Sequence, residues 1–265
     1  LKIIESRINY TYGETVKLKP IADVHLGNKL CDVKAFKEYL GNPEESYYIG
    51  VGDLLDSIIL ADLKRYDRKL DASDPNVAIV DYQVNRMAEI LMPYKHKIIG
   101  LGEGNHEDEI RKRCGTNPVQ RLCDILEVPY LGYTWMCQLR LSEGGNRTRT
   151  VTIRGHHGWG GGSRTQGGDL TKFARDTGYY DADLFLYGHV HRRQYDEVPR
   201  LGLVGSKLIA KPKIMCICGT FQKTLTEVAD PSWAETKGFP PVSIGGLTIN
   251  IKPTSTWVKI DVESK

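Results

Sequence analysis

The stretch Asp183-Leu-Phe-Leu-Tyr-Gly-His-Val-His191 decides the reading of this chain. Four apolar residues between an aspartate and a glycine read as a short buried strand. Two histidines follow, with one residue between them. In an extended chain, positions two apart lie on the same side. His189 and His191 are therefore expected to reach together into one small polar site at the strand's C-terminal end. Two imidazoles held this way are good ligands for a borderline divalent metal ion.

Four stretches upstream repeat the form, an apolar strand followed by Asp, His or Asn. Strand 15–22 leads into Asp23-Val-His25, and strand 46–51 into Gly52-Asp53-Leu-Leu-Asp56. Strand 95–101 leads into Gly102-Glu-Gly-Asn105-His106-Glu107, and strand 148–154 into Gly155-His156-His157-Gly158. Each has a bland alternative when read alone. Asp23 caps a turn, Asp53 and Asp56 open a helix, and Asn105 is the N-cap of a helix over 107–113. Read together they favour one site, because open α/β sheets place their sites beyond the C-terminal ends of strands. Neighbours on a strand point to opposite faces, so one of His156 and His157 is expected there and not both. His106 offers a group that titrates in the range useful for acid–base work.

The remaining chain supplies the scaffold. Helices are expected over 32–40 with Asp32 as cap, 63–70, 78–92 ended by Pro93, 118–126 and 169–176. Further strands are expected over 130–141, around Val204, and over 214–217, 247–251 and 257–262. The expected organisation is a single domain over 1–265. Its motif core covers 15–192, with an insertion at 57–81 and a strand-rich completion over 194–265. The loop after His157 runs Trp159-Gly-Gly-Gly-Ser-Arg164-Thr-Gln-Gly-Gly168. No Gly-Lys-Ser/Thr follows its glycines, so it is not a P-loop. Arg164 is expected to pair with a substrate phosphate, and Trp159 to stack on a ring. Arg111-Lys-Arg113 and Arg192-Arg193 add local positive charge.

The totals are those of an ordinary soluble globular protein, with 265 residues, 26% charged, 40% hydrophobic and a net charge of +3. No apolar run approaches the roughly 18 residues of a membrane span, and Leu1–Arg7 has no signal-peptide core. The six dispersed cysteines read as reduced, buried small hydrophobes, which gives cytoplasmic as the expected location.

The ordered set Asp-x-His, Gly-Asp-x-x-Asp, Gly-Asn-His-Glu, His and Gly-His-x-His resembles the calcineurin-like metallophosphoesterase superfamily. Every motif is present between Asp23 and His191. The resemblance implies an α/β fold, a four-layer αββα sandwich of two mixed sheets flanked by helices. It implies two divalent metal ions. Asp23, His25 and His191 would hold one, and Asn105, His189 and a tandem histidine the other, with Asp53 between them. Ligand histidines in the family stand directly before a glycine, which favours His157 over His156. A hydroxide held between the metals would attack phosphorus in line. His106 would protonate the leaving oxygen, and Asp56 would pair with His106 and orient it. Manganese is the expected metal; zinc, iron, cobalt and nickel suit the same donors.

The Ser/Thr protein phosphatases of the superfamily carry two arginines where this chain has Ser57 and Glu103. Those arginines grip a monoester dianion, so their absence points to a phosphodiester. The Gly-Asp-Leu-Leu form resembles SbcD-type nucleases and related phosphodiesterases, which brings DNA, RNA and nucleotides into the expected substrate range. A phosphomonoesterase and a metal-binding scaffold without turnover are the alternatives.

Overall fold

The computed structural model describes residues 1–144, 148–163, 165, 167–225, 232–254 and 257–264. Its strands are β1 (Lys2–Asn9), β2 (Val16–Ala22), β3 (Tyr47–Gly52), β4 (Ile98–Gly102), β5 (Tyr130–Gly132) and β6 (Thr134–Ser142). Then come β7 (Thr148–His156), β8 (Leu184–Tyr187), β9 (Arg193–Val204), β10 (Lys207–Thr220), β11 (Gly245–Pro253) and β12 (Val258–Ser264). The helices are α1 (Val33–Leu40), α2 (Ile79–Leu91), α3 (Asn105–Cys114), α4 (Pro118–Leu126), α5 (Gly168–Phe173), α6 (Asp176–Tyr179) and α7 (Trp233–Thr236). None of the described helices is long and apolar enough to cross a membrane.

The apolar runs before the motifs become β2, β3, β4, β7 and β8. β4 and β8 are buried at every position and β3 at all but its first, as expected of parallel strands covered on both faces. The strands hydrogen-bond in the order β1-β6-β7-β8-β10-β11-β2-β3-β4-β5, with β9 on β10 and β12 on β11. Pairing is mixed. β2, β3, β4 and β5 run parallel to their neighbours in that series, as do β7, β8 and β10, while β6–β7 and β2–β11 are antiparallel.

Two separate sheets were the expectation; the hydrogen bonding is continuous. Among the described residues, the ladder that joins the two halves consists of two pairs, Gly219–Gly246 and Thr220–Gly245. Gly219 makes this junction sterically feasible. Its φ is +92°, and a Cβ there would lie 2.1 Å from the Gly245 carbonyl oxygen.

Three apolar clusters hold these elements. The largest joins the halves, with Leu18, Ile49 and Ile249 from one and Leu139, Ile153, Leu184 and Ile214 from the other. In the second, Phe36 and Leu40 of α1, Val84, Met87 and Leu91 of α2, and Leu122 of α4 pack with Ile21, Tyr48 and Leu101. Truncating a side chain as fully buried as Met87 to alanine costs about 2–5 kcal/mol. The third sets Phe173 of α5 against Phe185, Tyr187 and Met215.

Several local expectations change. Residues 63–70 form turns and not a helix, and 92–97 form a 3₁₀ turn with Pro93 near its start. The helix expected over 169–176 is two short ones, α5 and α6. Expected strand 130–141 breaks at Tyr133 into β5 and β6. The segment 57–81 docks back on the first motif's loop, where Lys29 N donates to Leu70 O (2.7 Å) and Ala72 N to Gly27 O (2.8 Å). All six cysteines are free, but Cys114 at the end of α3 is exposed and Cys31 half-buried; the other four are buried.

Candidate metal centre

The loops beyond the strands continue to hydrogen-bond, and this brings the motifs together. Asp23 N donates to Gly52 O (3.1 Å), Val24 N to Asp53 O (2.8 Å) and Leu26 N to Leu54 O (3.1 Å). The Asp23 carbonyl accepts from Phe221 N (3.0 Å) and from Thr220 Oγ1 (2.8 Å). α3 begins at Asn105 with Gly104 as its N-cap, so Asn105 sits inside the first turn and is not the cap.

The structure adds Glu107, a residue to which the sequence reading gave no role. It is wholly buried. Its carboxylate accepts from Gly104 N (2.8 Å), Asp53 N (3.1 Å) and Leu55 N (2.9 Å), which ties the second motif to the third. The glutamate three residues past a helix cap was a visible signal; its reach across to Asp53 was not.

His189 and His191 do not converge by strand alternation. β8 stops at Tyr187, and both histidines have left-handed backbones, with φ of 74° and 55°. Asp23 (49°), His25 (52°) and Asp53 (51°) share that conformation. It is uncommon outside glycine but several-fold enriched for Asp and His. The ends of β2, β3 and β8 thus kink sharply, and the kinks turn the side chains inward.

The side chains form two groups. In one, His25 Nε2 lies 3.1 Å from His191 Nε2, and His191 Nε2 lies 3.5 Å from Asp23 Oδ1. In the other, Asn105 Oδ1 lies 3.1 Å from His157 Nε2 and 2.7 Å from His189 Nδ1. Asp53 Oδ2 stands between the groups, 3.2 Å from His157 Nε2 and 3.8 Å from His25 Nε2. His157 is almost wholly buried. His156 turns away, packing edge-on against Tyr133 and Trp159 and accepting from Gly158 N (2.8 Å).

This donor set suits cations. His157 Nδ1–H donates to the Val51 carbonyl (3.0 Å), and His189 Nε2–H donates to the Gly160 carbonyl (2.8 Å). The other nitrogen of each neutral ring then turns a lone pair towards oxygen acceptors, Asp53 Oδ2 and Asn105 Oδ1. Lone pairs facing at such distances need a proton or a metal ion between them. The proton is one solution: burial disfavours a charged His157, but the Asp53 carboxylate and that of Asp23 outweigh it and lift its pKa to about 9. The same imidazole works in reverse on Asp53. Burial raises its pKa, and His157, His106 and His25 overcome that and hold it well below the usual carboxylate range. Burial pushes Asp23 well up, and it lowers His25, His189 and His191, the last strongly and with help from His25. Neutral imidazoles are the form that binds metal.

His106 borders the first group, its ring centroid 4.6 Å from that of His25 in an edge-to-face arrangement. Its Nδ1 donates to the main-chain carbonyl of Asp56 (2.5 Å). Asp56, expected to orient His106, meets it through this main-chain carbonyl; its carboxylate lies 3.5 Å from His25 Nδ1, accepts from Asn28 Nδ2 (3.3 Å), and groups with ring nitrogens of both His25 and His106 within 4.8 Å. Trp159, expected to stack on a substrate, packs edge-on against Phe173 and Tyr187 in the third apolar cluster. Arg164 lies outside the described residues. Arg111, Lys112 and Arg113 pair with Glu103, Asp108 and Glu109 beside or within their own helix. Arg192 is paired with Asp169.

No family model matches the chain, and no curated protein does. Solved structures align along most of it at low identity. A metallophosphoesterase from Sphaerobacter thermophilus is 13% identical, with 95% of this chain and 89% of that one covered and a TM-score of 0.41. Zinc-bound Vps29 from Entamoeba histolytica is 14% identical, covering 94% and 98%, with a TM-score of 0.35. A predicted phosphoesterase from Streptococcus pneumoniae is 13% identical, covering 94% and 89%, with a TM-score of 0.31. In the order of its motifs and in the grouping of their side chains, the chain resembles the calcineurin-like metallophosphoesterase superfamily.

Proposed function

We propose that this chain is a metal-dependent phosphoesterase that binds two divalent cations, manganese first among them, and hydrolyses phosphodiesters. The observation that carries the reading is the pair of donor groups on either side of Asp53. Asp23, His25 and His191 would hold one cation, and Asn105, His157 and His189 the other, with Asp53 shared. Bound there, the ions would take up charge on the phosphoryl oxygens and lower the pKa of the attacking water. The two halves of the sheet, with helices packed outside them, fit the central layers of a four-layer αββα sandwich.

His106 is assigned the leaving-group proton. Its Nδ1–H is committed to the Asp56 carbonyl, which leaves Nε2 as the edge that can meet substrate. A neutral ring would present a lone pair there, so His106 must enter the step as an imidazolium. Glu107 holds the backbone of Asp53 and Gly104 in register, so the shared carboxylate and the acid are fixed together.

Diesters are favoured because Ser57 and Glu103 stand where the phosphatases carry their arginines. Ser57 is buried, and its N–H donates to Gln83 Oε1 (2.8 Å). Glu103 is buried and accepts from Asn117. DNA, RNA and nucleotides remain the substrate range by motif form. The paired state of Arg111–Arg113 removes one support for a nucleic-acid track.

The test is hydrolysis of bis-p-nitrophenyl phosphate against p-nitrophenyl phosphate with added Mn²⁺, with Asp53→Asn as the control. Diester turnover that the variant loses supports the proposal. A monoester preference would return the phosphatase reading. Metal uptake with no turnover of either ester would leave a scaffold.

A further inference from the structure

The glycine-rich loop after His157 is held by a buried carboxylate with no part in the proposed chemistry. Asp169, near the start of α5, is fully buried. Its Oδ1 accepts from Ser163 N (2.7 Å). Two cations converge on it, Arg192 with Nε 3.1 Å from Oδ2 and Lys172 with Nζ 3.4 Å from Oδ1. The Arg192 contact is an ion pair too far off the N–H direction to count as a hydrogen bond. Both cations also grip the loop's backbone. Arg192 donates to Ser163 O (2.6 Å), and Lys172 donates to Gly161 O. One carboxylate and two cations thus fix the loop just beyond Gly160, at Gly161 and Ser163.

Gly160 matters because its carbonyl accepts the Nε2–H of His189 at 2.8 Å. In a neutral imidazole the nitrogen that carries hydrogen cannot also offer a lone pair. Placing the hydrogen on Nε2 puts the lone pair on Nδ1, the nitrogen 2.7 Å from Asn105 Oδ1. Arg192 follows His191 directly, so the same turn that presents the histidines also carries the loop's anchor.

We infer that Asp169 and Arg192 are positioning residues for His189. They hold the Gly160 carbonyl where it selects the Nε2–H tautomer and points Nδ1 at the second donor group. The inference rests on the proposed metal reading only for what Nδ1 faces; the tautomer is a property of the chain itself. Partners of this kind typically change metal affinity by about 10–100-fold when removed.

The experiment takes the full chain as wild type, Arg192→Gln, Asp169→Asn, Arg192→Lys and the Asp169→Asn/Arg192→Gln double variant. Long-range ¹H–¹⁵N correlation reads the His189 tautomer, and titration with Mn²⁺ reads the metal sites. Melting temperatures identify any variant that is globally unfolded. The wild type should show Nε2–H at His189. Arg192→Gln and Asp169→Asn should each move His189 towards a tautomer mixture and weaken one of two Mn²⁺ sites about 10–100-fold, leaving the other unchanged. Arg192→Lys should restore part of the affinity, and the double variant should be no worse than the poorer single, since both break one device. A wild-type Nδ1–H tautomer would overturn the inference. So would an unchanged tautomer or two unchanged Mn²⁺ sites in folded Arg192→Gln and Asp169→Asn. A wild type that takes up no Mn²⁺ but shows the expected tautomer shift would sink the two-metal proposal while sustaining the positioning role.

Discussion

Gly104→Ala tests the centre with one methyl group. Gly104 has φ −110° and ψ −169°, an extended backbone that alanine adopts freely. The obstacle is space. A Cβ there would lie 2.1 Å from Asp53 Oδ1 and 2.4 Å from Asp53 N. Non-bonded contact is comfortable near 3.5 Å, so the carboxylate must retreat by about 1.4 Å. Catalytic groups tolerate about 0.5 Å of displacement, and an error of about 1 Å costs about 100-fold in rate. The shift also breaks the bond from His106 N to Asp53 Oδ1 (3.0 Å), so the acid moves with the shared ligand. Overpacking of this kind costs about 1–3 kcal/mol, or a fall of roughly 2–10 °C in melting temperature for a chain this size. The expected variant is therefore folded, at least about 100-fold slower on bis-p-nitrophenyl phosphate, and weaker for Mn²⁺ in both donor groups. Gly115→Ala at the other end of α3 is the control. It is left-handed with nothing within 4 Å of a Cβ, so it should cost about 1 kcal/mol and no activity. Mn²⁺ uptake and turnover within about threefold of wild type in Gly104→Ala would refute the placement of Asp53 and the reasoning built on it.

Glu107→Ala leaves three buried N–H donors without partners and should destabilise by about 3–6 kcal/mol, while Glu107→Gln keeps an acceptor for two of them and should cost about 1–3 kcal/mol; equal melting temperatures would show that the carboxylate does not hold these loops. His106→Ala should slow hydrolysis of a diester with an alkyl leaving group by about 10²–10⁴-fold and that of a p-nitrophenyl diester far less, and equal losses on both would remove the acid role. Asp56→Asn should weaken Mn²⁺ at the His25 group about tenfold or more, because its carboxylate faces His25 Nδ1; slowed turnover with unchanged Mn²⁺ affinity would return Asp56 to His106. Mn²⁺ at about 100 times its dissociation constant should stabilise the chain by about 2.7 kcal/mol per site, a gain that chelation reverses, and a melting temperature indifferent to chelator would refute a native-state site.

Much of the scaffold was legible because its elements obey local rules. α4 spans Pro118–Leu126 as its periodicity and proline predict, and Asp32 caps α1 by accepting from Ala35 N (3.0 Å). The strands before each motif were legible as apolar runs. What escaped notice is non-local. β1 carries little apolar signal because it is an edge strand, paired only with β6 and largely exposed. The hairpin of β9 and β10 is polar and interrupted by prolines, yet it pairs in register from Arg193–Cys218 to Val204–Lys207. Pro199 faces Pro212 on the edge strand β9, at a point before β10 begins to pair with β8 at Ile214, a position that proline tolerates. At the centre, residue types and spacing identified the candidate ligands, but not the conformation that aims them or which neighbour each contacts. The fates of Asp56 and Trp159 were invisible for that reason, since a carboxylate one helical turn from a motif has two histidines within reach.

The aiming has a cost that the sequence does show in part. Seven non-glycine residues among those described have positive φ, and six of them lie in the loops of the centre: Asp23, His25, Asp53, Ser57, His189 and His191. The seventh, Glu127, closes α4. A left-handed backbone at a residue other than glycine costs on the order of 1 kcal/mol or more. Glycine would relieve that strain at Asp23, His25, Asp53, His189 and His191, but it would remove the donor side chain. Asp and His are among the non-glycine types that tolerate the conformation best, and they are also ligands. The motif residues therefore meet two requirements at once, a kinked backbone and a donor atom. The strain persists because the ladder between the loops, the Glu107 carboxylate and the Thr220 hydroxyl over-determine the kinks. Cutting one of several supports should loosen the kink it touches without unfolding it, so Thr220→Val should weaken Mn²⁺ binding although Thr220 offers the site no ligand.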